Sequence, residues 1–158
     1  MKRGLRFFIC LSLLCCLIIP LWAEGQKEKA AAPGSKVINL WSFTDEVPKM
    51  LTKYKELHPD FNYEVKTTII ATTDGAYQPA LDQALMGGGS NAPDIYCVES
   101  AFVLKYTQGD AAQYAAPYKD LGINVDKLLK EADIAQYTVD IGTNKNGQLV
   151  GLGYQATG

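Results

Sequence analysis

Past residue 23 the chain contains no arginine, one histidine (His58) and one cysteine (Cys97). Each scarcity removes a class of chemistry. Without arginine there is no bidentate clamp for phosphate or carboxylate. The 12 lysines of that part face 17 acidic residues, a net charge of −5, so the basic footprint that nucleic acid requires is missing. A single histidine beside a proline, with no second one to join it, provides no triad and no thiol–imidazole pair. It also leaves no ligand set for zinc. A lone cysteine allows no internal disulfide, so the fold depends on its core. Cys97 lies within an apolar run and reads as a small buried hydrophobe. The cluster Gly87-Gly88-Gly89-Ser90 lacks the Lys-Ser/Thr ending of a phosphate loop and follows a helical pattern instead of opening one, so it reads as a turn. No metal or cofactor is expected.

What is present begins with an export signal over 1–23. Met1 to Arg6 is basic, Phe7 to Trp22 is nearly continuous apolar sequence, and Ala23 is a small residue at the cleavage position. The run is shorter than the ~20 residues of a spanning helix, and Pro20 near its end suits cleavage better than anchoring. Leu13-Leu14-Cys15-Cys16 loosely matches a lipid-attachment motif, so a lipid anchor at Cys15 or Cys16 stands as the alternative. Residues 24–35 are polar and rich in Ala and Lys, and read as a tether.

From residue 36 the pattern is that of an α/β domain. Val37, Ile38, Leu40 and Trp41 form a strand too apolar to have one wet face, which predicts a parallel, doubly covered sheet. Val47, Met50, Leu51, Tyr54 and Leu57 then fall on one helical stripe. Full burial of that stripe contributes roughly 8–15 kcal/mol gross. Pro48 places the helix start, which makes Asp45 or Glu46 its N-cap, and His58-Pro59 ends it. A second strand is expected over 63–70. A helix follows on Tyr77, Ala80, Leu81, Ala84 and Leu85, stopped by the glycine cluster. A third strand is expected over 95–98 and a short helix over 101–106. Asn124 is expected to cap a further helix, and 137–153 reads as a hairpin turning at Asn144–Gly147. The order β-α-β-α-β-α is that of a doubly wound sheet.

In such sheets ligands sit outside the carboxyl ends of the strands. The candidates there are Trp41 to Glu46, Asp74 and Tyr77, Glu99 and Ser100, and Tyr154 and Gln155. Flat apolar faces beside carboxylates, amides and hydroxyls suit a polyhydroxylated ligand. For Trp41 and Tyr154 core packing is an equal reading, and for Asp45 helix capping is an explanation by itself. Glu99 ends an apolar strand, where a carboxylate needs water or a partner.

The segments VINLWSFTDEVPKM, LDQALMGGGSNAPDIYCVESAFVLKY and NGQLVGLGYQATG, in this order behind an export signal and a polar tether, resemble the extracellular solute-binding proteins of carbohydrate ABC importers, the maltose-binding-like family. The resemblance runs over 36–158. It implies a type II periplasmic-binding-protein-like fold, with two α/β lobes closing over a sugar. Those chains are longer, so 36–158 is expected to be an incomplete N-terminal lobe. Carried over by position, the resemblance implies ligand contacts at Trp41, Thr44, Asp45, Glu46, Glu99, Tyr154 and Gln155. The chain departs from the family at Gly153, where many relatives have proline. The implied role is non-enzymatic: a monomer on the outer side of the cytoplasmic membrane binds a mono- or oligosaccharide and passes it to ABC permease subunits. An exported glycan-acting enzyme with Glu99 as a catalytic carboxylate, and a binding protein for a non-sugar solute, are the alternatives.

Overall fold

The computed structural model describes residues 36–154. The expected signal, its cysteines, the tether and Gln155 lie outside the described residues. Strand β1 (Val37–Ser42) runs into α1 (Glu46–Leu57), β2 (Glu64–Ile69), a 3-10 turn at Thr73–Gly75, and α2 (Tyr77–Gly87). There follow β3 (Ile95–Tyr96), α3 (Val103–Thr107), a second 3-10 turn at Ala112–Tyr114, α4 (Val125–Ala132) and α5 (Gln136–Ile141). The chain is α/β, with a three-stranded sheet in the order β2-β1-β3. Both pairings are parallel, with Val37 opposite Glu64 and Leu40 opposite Ile95.

The apolar run of β1 makes it the central strand. Leu40 and Ser42 have no solvent exposure. Trp41 and Phe43, at the alternate positions, pack against a cluster of Tyr77, Leu81, Leu85, Tyr106 and Ala111. Side chains from both faces of β1 are thus withdrawn from water, as a parallel central strand requires. Asn39 holds the glycine-rich connection in place. Its side-chain amide donates to the Ser90 and Ala92 carbonyls at 2.8 and 3.2 Å. Its backbone N–H donates to the Asp94 carboxylate at 2.8 Å, so the turn before β3 is tied to the middle of β1. Helix α2 ends as the glycines predict, with Gly88 at φ 62°, a conformation in which a side chain is strained. The Asn124 carboxamide accepts from the Lys127 N–H at 3.0 Å and caps α4.

Three expectations change. The α1 stripe is not buried among the described residues. Val47 and Leu51 are half-covered, while Met50, Tyr54 and Leu57 are 51%, 47% and 66% exposed. The helix forms because its periodicity and first-turn proline favour it, but only β1 meets it appreciably, and β2 beside it is an edge strand. The expected hairpin has only one extended limb. Residues 136–141 form α5, although Thr138, Val139 and Ile141 are β-branched, because tertiary contact overrides propensity. Thr107 of α3 donates to the Ile141 carbonyl at 2.8 Å, and Thr138 bonds back to the Ala135 carbonyl at 2.8 Å. The turn itself is as expected: Gly147 has φ 75°, and the Asn144 carboxamide accepts from the N–H groups of Asn146 and Gln148. A Thr143–Leu149 antiparallel bridge closes it. Finally, β3 is shorter and α3 starts later than the pattern suggests. The Phe102 N–H bonds the Glu99 carbonyl at 2.9 Å, so a turn separates strand from helix.

Candidate functional site

The order β2-β1-β3 places a topological switch between β1 and β3. The chain leaves β1 toward β2 and returns to the opposite side of β1 for β3. At the carboxyl ends of such neighbours the outgoing loops diverge and leave a crevice. Thr44 and Glu46 follow β1, and Glu99 follows β3, so these two loops flank the crevice.

The third contribution comes from the other end of the chain. After the Asn144–Gly147 turn, the returning segment bonds twice to the Gly142 carbonyl, from the Val150 and Gly151 N–H groups at 2.9 and 3.1 Å. A methyl at Gly142 would collide with the Gly151 carbonyl, and a Cβ at Gly153 would lie 3.0 Å from the Thr138 side chain. These close approaches carry the segment past α5 and deliver Tyr154 to the loops after β1 and β3. Burial pushes the Tyr154 phenol above its ordinary value. Cys97, Glu46 and Glu99 add to the rise, and the neighbouring Thr44 hydroxyl opposes it. One phenol thus senses residues that lie 55 to 110 positions away in sequence.

Within the first loop, the Thr44 hydroxyl donates to a Glu46 carboxylate oxygen at 3.4 Å, and the Thr44 N–H donates to Ser42 Oγ at 3.3 Å. On the far side, Gln78 Nε2 donates to Glu99 Oε2 at 3.2 Å. The resulting surface carries two carboxylates, a phenol, a hydroxyl and a primary amide. It has acceptors for hydroxyl donors and donors for hydroxyl acceptors.

The remaining sequence candidates divide. Asp45 occupies the N-cap position of α1, but its side chain makes no capping hydrogen bond. It turns to Lys49 one turn on, at 2.6 Å, and both side chains are well exposed. The expected capping role is therefore not made: Asp45 has φ −91° and ψ 4°, not the extended geometry that aims a cap at the helix N–H groups. Trp41 is half-buried and packs against the α2–α3 cluster. Tyr77 is fully buried. Its hydroxyl donates to the Cys97 carbonyl at 2.7 Å and its ring meets Phe43 edge-on at 5.8 Å, so it anchors α2 rather than facing the crevice. Asp74 has φ 55°, a left-handed turn position that aspartate tolerates, and is exposed, as is Ser100. Cys97 is buried, and burial pushes its thiol up, with a Ser42 hydrogen bond opposing. That environment is the opposite of one that activates a thiolate.

Gln78 is the residue that periodicity hid. It lies off the apolar stripe of α2, beside Tyr77 in the first helical turn. Its placement as a polar residue where a helix leaves the carboxyl edge of a sheet was the available signal.

Among the described residues no group of three His, Cys, Asp or Glu side chains is arranged to hold a metal ion. A shallow depression beside α4, lined by Asn124, Asp126, Lys127, Lys130 and Glu131, shares no residue with the crevice. No described helix is long and apolar enough to cross a membrane. Neither a scan against models of known protein families nor a search of curated proteins finds a match to this chain.

Proposed function

We propose that the chain carries an incomplete N-terminal lobe of an exported solute-binding protein with type II periplasmic-binding architecture. It binds a mono- or oligosaccharide without cleaving it and delivers it to the permease of an ABC importer. The observation that carries this reading is the gathering of Thr44, Glu46, Glu99 and Tyr154 at the β1/β3 switch point. Carboxylates accept sugar hydroxyls through charge-assisted hydrogen bonds worth roughly 1.5–3 kcal/mol each. Three or four of them and one aromatic contact reach ~−8 kcal/mol, a micromolar affinity, after the costs of association. The resemblance of its motifs to carbohydrate-binding proteins of this kind supports the same reading, and the expected export signal supports a location in the periplasm or on the outer face of the cytoplasmic membrane. In this reading the opposite wall of the crevice belongs to a second lobe. Trp41, Asp45 and Gln155 belong to the proposed wall by motif position.

Calorimetry of the full-length protein against a panel of neutral sugars tests this. The expected result is saturable heat with a micromolar Kd for at least one sugar, which is recovered intact afterwards. Heat from a peptide, polyamine or metal ion and none from any sugar would overturn the sugar assignment.

A further inference from the structure

We propose that Gln78 is a positioning residue of the crevice: its amide holds one oxygen of the Glu99 carboxylate and turns the other toward a ligand hydroxyl. The inference rests on the sugar-binding reading above and deepens it. The contact, Gln78 Nε2 to Glu99 Oε2, spans 3.2 Å and joins the first turn of α2 to the end of β3. Both side chains are half-buried.

Both ends of this contact stand on pinned backbone. Tyr77, the residue before Gln78, has no exposure, and its hydroxyl donates to the carbonyl of Cys97, two residues before Glu99. The Cys97 N–H in turn donates to the Trp41 carbonyl at 2.9 Å, and the Glu99 carbonyl accepts the Phe102 N–H at 2.9 Å. The Tyr77–Cys97 bond therefore sets the distance between the Gln78 and Glu99 backbones. The amide bond then restricts the carboxylate, whose side chain is otherwise free to rotate into water.

The choice of an amide matters chemically. A lysine at 78 would pair with Glu99, neutralise it and compete with ligand for its oxygens. A primary amide occupies one carboxylate lone pair and leaves the negative charge for the remaining oxygen. Pre-orienting a charged acceptor lowers the ordering cost of binding.

The test is a double-mutant cycle on the full-length protein, read by calorimetry with the best-binding neutral sugar of the panel. The variants are Gln78→Leu, Glu99→Ala and the pair together. Gln78→Leu is expected to weaken binding about tenfold alone and less than twofold in the Glu99→Ala background, because the amide acts through the carboxylate. Gln78→Glu, which keeps the shape but places like charge beside Glu99, is expected to show at least the same loss and the same dependence on Glu99. It serves if Gln78→Leu does not fold, as judged by its thermal melt. Equal losses in both backgrounds, or no loss with Glu99 present, would overturn the inference. A wild-type protein that binds no sugar overturns the reading beneath it, and the inference with it, before any variant is made.

Discussion

The two sides of β1 are built from similar sequence and end in different states. On the α2–α3 side, Tyr77, Leu81 and Tyr106 are at most 1% exposed, and Trp41 and Phe43 close over them. Even the polar atoms there are matched. The Tyr106 hydroxyl donates to Asp82 at 3.0 Å, and Lys105 pairs with the same carboxylate. On the α1–β2 side, α1 contributes no buried residue, and Met50, Tyr54, Leu57 and Ile69 are all about half exposed or more. The aromatic groups at its end, Tyr54, His58, Phe61 and Tyr63, pack against one another, stacked only between Tyr54 and His58, instead of on a core. Periodicity reports which face of a helix is apolar. It does not report whether another element lies against that face. The crevice belongs to the finished side: Glu99 and Gln78 are tied to the buried cluster through Tyr77.

Substitutions should separate the two sides sharply. Leu81→Ala, in the fully buried cluster, is expected to cost about 2–5 kcal/mol in urea unfolding, against about 0.5 kcal/mol or less for Met50→Ala on the open face. A loss of 2 kcal/mol or more from Met50→Ala would show that α1 is covered in the full-length protein and would dissolve the contrast.

Alkaline pH should attack the finished side first. The phenols of Tyr77, Tyr96 and Tyr106 are all raised, chiefly by burial, Tyr96 from 10.0 to about 12. For Tyr106 the hydrogen bond to Asp82 and that carboxylate's charge add to the rise. A raised phenol means that the folded state keeps its proton after the unfolded chain has lost it. The associated stability is present in full below pH 10 and declines as pH climbs toward the folded-state values. For Tyr96 alone the two units correspond to ~3 kcal/mol. Urea midpoints should be level from pH 7 to 9 and fall from pH 10 upward, with tyrosinate absorbance at 295 nm rising with unfolding. A midpoint unchanged to pH 11.5 would contradict the burial of these rings.

Gly142→Ala should destabilise by about 1–3 kcal/mol, because the added methyl meets the Gly151 carbonyl. On the proposed function it should also weaken sugar binding, since the displaced segment carries Tyr154. Destabilisation with unchanged sugar affinity would detach Tyr154 from the site. A similarly small effect on stability, like that of Met50→Ala, is expected at Asp45→Asn, on the open rim. Its exposed pair with Lys49 contributes about 0–1 kcal/mol and should fade in 1 M salt.

Much of this organisation is legible in the chain. The α/β class follows from the apolar run of β1 and the helical stripes after it, and the turns from Gly88, Asn124 and Asn144–Gly147. Three things are not legible, each for a physical reason. Residues 136–141 carry a strand-like composition, and the bond from Thr107 and the packing on α3, which lie far off in sequence, favour the helix. Asp45 has the right residue type and position for a cap, but an ion pair with Lys49 takes its carboxylate. The partnership of Gln78 with Glu99 links residues 21 apart through a crossover, and no local pattern encodes it. Of the site itself, Thr44, Glu46, Glu99 and Tyr154 were visible as polar residues at strand ends. Their meeting depended on strand order and on the close packing of Gly142 and Gly153.

A crystal structure of the full-length protein with its best-binding sugar tests the central claim most directly. Hydroxyls of the sugar should lie within about 3.2 Å of Glu99 and Tyr154, with Gln78 still bonded to the far oxygen of Glu99. A sugar seated elsewhere, for instance in the depression beside α4, with the crevice between the β1 and β3 loops filled only by water, would contradict it.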